Sequence, residues 1–246
     1  MTRPVALVTG GSRGIGAAIA AELAAQGYAL TLVARGTDTL KATADSLSTK
    51  HRVDIQIIAA NMADETQIRD VADQHRQMFG RLDVLVLSAG VGTAGPVVDM
   101  TMRAYQRTMD VNTKAPFILI QELLPLLRQT AQQNPHRGAK IIALSSLTGV
   151  AGEAGLAAYG ASKAALISLC ETVSLEESMR GVTATALSPG YVDTDMSAWK
   201  HSDIQPDAML RTADIAELAL AITRLSAHAV VPNIVISRAG KQIWRA

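Results

Sequence analysis

The sequence predicts an α/β fold, a doubly wound parallel sheet of about seven strands with helices on both faces, and three observations carry that reading. Short aliphatic and β-branched runs alternate with segments whose apolar residues recur every three or four positions, the pattern of crossover units. Hydrophobic residues make up 48% of the chain and charged residues 18%, which suits strands buried on both faces. No long linker, low-complexity tract, charge block or fixed-period repeat divides the 246 residues, so a single domain over 1–246 is expected.

Taken in order, the candidate strands are 5–8, 29–34, 55–59, 84–87, 140–144, 183–187 and 234–236. Helical periodicity is clearest at 15–26, 66–79, 105–129, 158–179 and 213–225. Right-handed crossovers place the carboxyl ends of parallel strands along one edge, where open sheets bind ligands. The irregular stretches 91–101, 147–157 and 188–212 follow strands and are expected at that edge, whereas 133–138 is a surface connection entering a strand.

Composition removes several function classes. A formal net charge of +1 with scattered basic residues gives no footprint for nucleic acid or an anionic membrane. Cys170 is the only cysteine, so there is no disulfide framework, and its expected role is core packing. The chain enters its first apolar run directly and contains no membrane-length apolar span, which reads as an untargeted cytoplasmic protein. The five histidines lack metal-ligand spacing with carboxylates or thiols, so no metal is expected.

The first strand runs into Thr9-Gly10-Gly11-Ser12-Arg13-Gly14-Ile15-Gly16, which opens the first helix. Glycines allow a tight turn and close backbone approach to a pyrophosphate, while the helix N-terminus offers unpaired N–H groups and a positive dipole end. The second strand ends Leu32-Val33-Ala34-Arg35, with no carboxylate for a ribose 2′-OH. Arg35 stands where a 2′-phosphate would lie and Arg13 could flank it, so NADP is the expected cofactor.

Tyr159 and Lys163 lie four apart in a helical pattern and therefore leave the same face one turn apart. A free tyrosine has a pKa of ~10, and an adjacent ammonium is expected to lower it, making Tyr159 the candidate acid/base. Ser146 closes the fifth strand, thirteen residues earlier, where its hydroxyl could orient a substrate oxygen. Asn112 interrupts a helical pattern, and its amide is expected to divert local hydrogen bonding and hold a water next to Lys163.

With these residues in view, the chain resembles the short-chain dehydrogenase/reductase family in its compact form, and is similar to 3-oxoacyl reductases. The motifs match in order: the glycine loop, Asn112, Ser146, Tyr159-Gly160-Ala161-Ser162-Lys163, and a Pro-Gly segment, Ser188-Pro189-Gly190-Tyr191-Val192-Asp193-Thr194. The resemblance covers about residue 5 to about residue 237 and implies a Rossmann-like fold. Three departures stand out. Leu87-Ser88-Ala89-Gly90 carries serine in place of the family's asparagine, Asn61-Met62 lacks the acid common near the adenine, and Ser237-Arg238-Ala239-Gly240 replaces an Asp-Gly-Gly ending.

The resemblance implies reduction of a ketone or aldehyde, with 3-oxoacyl thioesters as one substrate class. Nicotinamide would lie against Pro189 and Gly190, with Val192, Thr194 and neighbouring backbone holding it. Tyr159 would protonate the developing alkoxide, Ser146 would bond the same oxygen, and Lys163 would also bind ribose hydroxyls. Val91 to Pro96, 147–156 and a lid over 191–209, with Tyr191, Met196 and Trp199, would close the pocket; Glu153 and Asp193 could be polar groups of that pocket, with solvated loop acids the commoner reading. A homo-oligomer, dimer or tetramer, is expected through the helices at 105–129 and 158–179. Two alternatives remain: an NADP-binding regulator without turnover, or a relative performing dehydration or isomerisation.

Overall fold

Residues 3–240 are described by a computed structural model, so the ends of the expected 1–246 domain lie outside the described residues. In chain order the elements are β1 (Val5–Thr9), α1 (Gly14–Ala25), β2 (Ala29–Ala34), α2 (Thr37–His51), β3 (Ile55–Ala59), α3 (Glu65–Phe79) and β4 (Val84–Leu87). There follow α4 (Met102–Met109), a π-helical turn (Asp110–Lys114), α5 (Ala115–Gln133), β5 (Ala139–Leu144), α6 (Ala157–Glu177), β6 (Val182–Pro189), α7 (Thr212–Arg224) and β7 (Asn233–Ile236). The strands form one seven-stranded parallel sheet in the order β3-β2-β1-β4-β5-β6-β7.

Two apolar layers sandwich that sheet. On one face Ile68 and Val71 of α3, Leu119, Leu123 and Leu127 of α5, and Leu166 and Cys170 of α6 pack on Leu7, Leu85, Ile141 and Ala184. On the other, Ile19 and Leu23 of α1, Leu40 and Leu47 of α2, and Ile215 and Leu220 of α7 pack on Val8, Leu30, Val86 and Ile142. Burial of Cys170 pushes its thiol up to about 12, as expected of a packing residue. The chain reverses direction across the sheet between β1 and β4, which opens a crevice at their carboxyl ends.

Three expectations needed revision. The helix expected at 105–129 is two helices separated by the π-helical turn. Pro116 has no N–H for the carbonyl four residues before it, that of Asn112, so the ladder widens there. α2 was not singled out by periodicity because its buried stripe is only Leu40, Ala44 and Leu47 on an otherwise polar segment. β6 extends through Ser188 and Pro189, two residues read as loop, because Ser188 and Pro189 still pair with Val235 and Ile236.

Candidate active site

The crevice begins with the glycine loop. Gly10 and Gly14 adopt φ of +69° and +57°, which other residues rarely take. A Cβ on Gly16 would lie 2.3 Å from the Gly10 carbonyl oxygen, so the loop folds directly onto the start of α1. No side chain caps that helix: Arg13 occupies the N-cap position in extended conformation, leaving the first N–H groups for an anion. These features fit a dinucleotide pyrophosphate. Ile15, in the first turn of α1, packs at the edge of the core, while the Ser12 carbonyl accepts the Thr43 hydroxyl at 3.2 Å.

Thr9, not singled out as a site residue, fastens the other side of the crevice. Its hydroxyl accepts the N–H groups of both Ser88 and Ala89 at 3.1 Å, tying β1 to the segment after β4. Ser88 Oγ faces Gly16, and a Cβ on Gly90 would lie 3.5 Å from both Asn112 Oδ1 and Lys163 Nζ. The serine departure therefore keeps a polar atom against the loop. Asn61 is exposed and its side chain accepts the Ala63 N–H, whereas Met62 is buried with Ile68 and Val71 and offers a ligand only backbone.

Around the 2′-phosphate position the two arginines differ. Arg35 is exposed with no ion-pair partner among the described residues, while Arg13 Nη1 holds Asp195 Oδ2 at 2.9 Å. Both members of that pair are more than two-thirds exposed, so the contact is weak and exchangeable.

The catalytic candidates converge at the carboxyl end of β5. Ser145 donates its hydroxyl to the Lys163 carbonyl at 2.8 Å, while Ser146 Oγ accepts the Thr148 N–H at 3.2 Å and the Thr148 hydroxyl at 2.9 Å. Lys163 Nζ donates to the Leu144 carbonyl at 2.6 Å and sits 5.5 Å from the centre of the Tyr159 ring. Tyr159 keeps part of its surface exposed but has an enclosed hydroxyl end.

The electrostatics correct the expectation of a phenol made acidic by lysine. Burial pushes the Tyr159 phenol above its ordinary value, against a downward pull from the Ser146 hydroxyl. Burial likewise pushes Lys163 down to about 8. The amine is aimed at a backbone carbonyl and is itself short of solvation, so it supports the tyrosine less than helical spacing alone implies.

Asn112 acts as a clamp. Its Oδ1 accepts the Val91 N–H at 2.9 Å, and its Nδ2 donates to the Val91 carbonyl and to Ser162 Oγ, each at 3.0 Å. Both amide hydrogens are thereby spent, which leaves Oδ1 as the only part of the amide with capacity for the expected water.

The segment after β6 covers the site. Gly190 N–H donates to Ile236, Val192 is buried, and Thr194 lies 3.5 Å from where a Cβ on Gly14 would be, so Pro189 to Thr194 meets the glycine loop. Leu210 N–H donates to Tyr191 and Asp193 N–H to Leu210, both at 2.9 Å, pinning the base of the 191–209 loop. Glu153 is not a solvated acid: its Oε1 accepts the Tyr191 hydroxyl at 2.8 Å, and its Oε2 is buried without a partner among the described residues. Sequence gave no sign of this pairing, because the two residues belong to different loops. Asp193 instead lies 3.3 Å from His201 Nε2.

Among the described residues no helix is long and apolar enough to cross a membrane, and no cluster of three or more His, Cys, Asp or Glu side chains could hold a metal. A family model for short chain dehydrogenases matches residues 4–205. A 3-oxoacyl-(acyl-carrier-protein) reductase, FabG, of Staphylococcus aureus is 37% identical over 194 residues, covering 78% of this chain and 76% of the relative. A short chain dehydrogenase from Burkholderia cenocepacia, solved in complex with NADP, superposes with a TM-score of 0.84 at 30% identity, over 95% of this chain and 96% of that one. A blue fluorescent protein from a metagenomic library, in complex with NADPH, matches with a TM-score of 0.80 at 33% identity over 95% of both chains. The family match spans the glycine loop, the Ser146 turn and the Tyr159 helix on a sheet of matching architecture, and on that ground the chain belongs to the short-chain dehydrogenase family.

Proposed function

We propose that this chain reduces a ketone or aldehyde to an alcohol with NADPH, using Tyr159 as proton donor, Ser146 as a second donor to the same oxygen, and Lys163 and Asn112 as their support. The observation that carries the reading is the convergence of Ser146, Tyr159 and Lys163 at one strand end beside the uncapped glycine loop. When bound, NADPH supplies the hydride that adds to the carbonyl carbon. Gly10, Gly14, Gly16 and the start of α1 hold the pyrophosphate, and Arg35 with Arg13 takes the 2′-phosphate. Tyr159 gives its hydroxyl proton to the oxygen that becomes the alcohol, a form of catalysis worth roughly 10²–10⁴-fold. The Ser146 hydroxyl opposes the burial that raises the phenol, and the Leu144 carbonyl holds Lys163 beside it.

The substrate class extends to 3-oxoacyl thioesters. The named activity of the Staphylococcus aureus relative supports this, as do the exposed apolar side chains Val97, Val98, Met196 and Trp199 in the loops beside the site. A homo-oligomer, dimer or tetramer, has support from Phe117 on α5, Leu175 on α6 and Met179 in the turn just after α6, all exposed. The lone buried cysteine suits a reducing cytoplasm.

The test is NADPH oxidation against a carbonyl panel that includes a 3-oxoacyl thioester, with NADH in parallel. NADPH-dependent turnover lost in Tyr159→Phe is the expected result. Equal use of NADH, or a Tyr159→Phe variant as fast as wild type, overturns the cofactor or the acid/base assignment respectively.

A further inference from the structure

One residue fills both acceptor positions of the Ser146 hydroxyl. Thr148 donates its backbone N–H at 3.2 Å and its side-chain hydroxyl at 2.9 Å to the same Oγ. A serine hydroxyl offers one hydrogen and two lone pairs, so with both lone pairs taken its hydrogen can only be donated outward. We propose that Thr148 is a positioning residue that fixes Ser146 as a hydrogen-bond donor toward the reacting carbonyl oxygen. This rests on the roles given above to Ser146 and Tyr159.

The fold holds Thr148 in that place. It is 6% exposed, in the tight turn Leu147–Gly149 that lies against α6. A Cβ on Gly160 would come 2.9 Å from the Thr148 carbonyl oxygen, and one on Gly149 would come 2.7 Å from the Lys163 carbonyl carbon. Glycine at both positions allows backbone to meet backbone beside Tyr159 and Lys163. Thr148 therefore cannot drift from Ser146 without displacing the helix that carries the acid.

The polarity of Ser146 matters because the carbonyl oxygen gains negative charge during reduction and needs donors. A serine with an open lone pair can instead accept the Tyr159 hydrogen and divert the proton meant for substrate. An outward Ser146 hydrogen favours the phenolate, and its loss disfavours it. The titratable groups facing Tyr159 are Lys163 on its own helix, Tyr191 from the loop after β6, and Glu153 bonded to Tyr191 from the loop after β5. A change at position 148 leaves all three in place.

Thr148→Val keeps the shape and the backbone donor but removes the hydroxyl, and Thr148→Ser keeps both donors. Tyr159 is titrated in the cofactor-free protein by ultraviolet difference, with Tyr159→Phe as blank, and kcat, KM and the pH profile are measured in parallel. In Thr148→Val the phenol titration and the matching limb of the pH profile should move up by about half a pH unit or more. kcat should fall about 10-fold, NADPH affinity should hold, and Thr148→Ser should restore wild-type behaviour. A Thr148→Val protein with unmoved phenol titration and pH profile overturns the proposal, as does a Thr148→Ser protein that fails in the same way as Thr148→Val. If Thr148→Val is insoluble, Thr148→Ala carries both readouts. Full turnover in Ser146→Ala and Tyr159→Phe would remove the underlying site reading too; loss of turnover in both, with Thr148→Val silent, removes the Thr148 role alone.

Discussion

Ser145 donates its hydroxyl to the main-chain carbonyl of Lys163 at 2.8 Å, a buried bond between the end of β5 and the second turn of α6. Lys163 returns the contact by donating its amine to Leu144 at 2.6 Å. Strand end and helix are thus stitched in both directions, each time by a side-chain donor on a main-chain carbonyl, next to Ser146 and Tyr159.

Ser145→Ala removes one stitch, leaving the Lys163 carbonyl only its bond within α6. Stability should fall by about 1–2 kcal/mol in denaturant unfolding. kcat should fall several-fold with NADPH affinity retained, because the loss misplaces the lysine and not the glycine loop. Unchanged stability and kcat would show that the reciprocal Lys163 bond alone is sufficient.

How much of this was legible in the chain depends on the range of the contact involved. The glycine loop, Tyr159 with Lys163, and Ser146 could be read because their meaning lies within one turn or one strand end. Six of the seven strands were bounded to within one residue, since each is a short aliphatic run. Contacts between distant segments left no such trace: Thr9 on Ser88 and Ala89, Asn112 on Val91, and Tyr191 on Glu153 each join different loops or strands. The charge balance at Tyr159 was misjudged for a related reason, because spacing shows that two groups are neighbours but not how much water either retains.

Arg35 supplies a direct test of cofactor choice. It is exposed and has no ion-pair partner among the described residues, so Arg35→Ala removes a charge without disturbing a contact. Loss of a charge-assisted bond to a 2′-phosphate should weaken NADPH binding by ~10–100-fold, measured by fluorescence titration, with NADH binding unchanged. The complementary variant is Asp195→Asn, which frees Arg13 and should tighten NADPH at most about 5-fold, since the exposed pair is worth under ~1 kcal/mol. Equal weakening of NADH and NADPH in Arg35→Ala would place the arginine outside the 2′-phosphate site.

Tyr191→Phe tests the bridge between the loops that follow β5 and β6. The hydroxyl satisfies one oxygen of a Glu153 carboxylate whose other oxygen is already buried without a partner among the described residues. Its removal should raise KM for the carbonyl substrate about 5–10-fold, the worth of one such bond, while NADPH affinity holds. Glu153→Gln in the same background should recover part of the loss, because a neutral amide tolerates the missing donor better than a carboxylate. A KM unaffected by both substitutions would separate this bridge from the substrate pocket.

His75 gives the fold an acid-sensitive point far from the site. The ring is fully buried, with Nδ1 2.7 Å from the Thr31 hydroxyl and Nε2 3.1 Å from the Arg81 carbonyl, and burial pushes its pKa from 6.5 down to about 4. The folded state therefore refuses a proton that the unfolded chain accepts below pH ~6.5. The contribution of this group is complete above that pH and is lost progressively toward pH 4, by roughly 3 kcal/mol at the lower end. His75→Gln retains donor and acceptor atoms without the titration. Denaturant unfolding of both proteins from pH 7 to 4 should show a shallower acid decline in the variant, whose carboxylates are otherwise the same. Parallel declines would mean that the acid lability arises at the carboxylates, such as Glu177 held low by Arg128, and not at this ring.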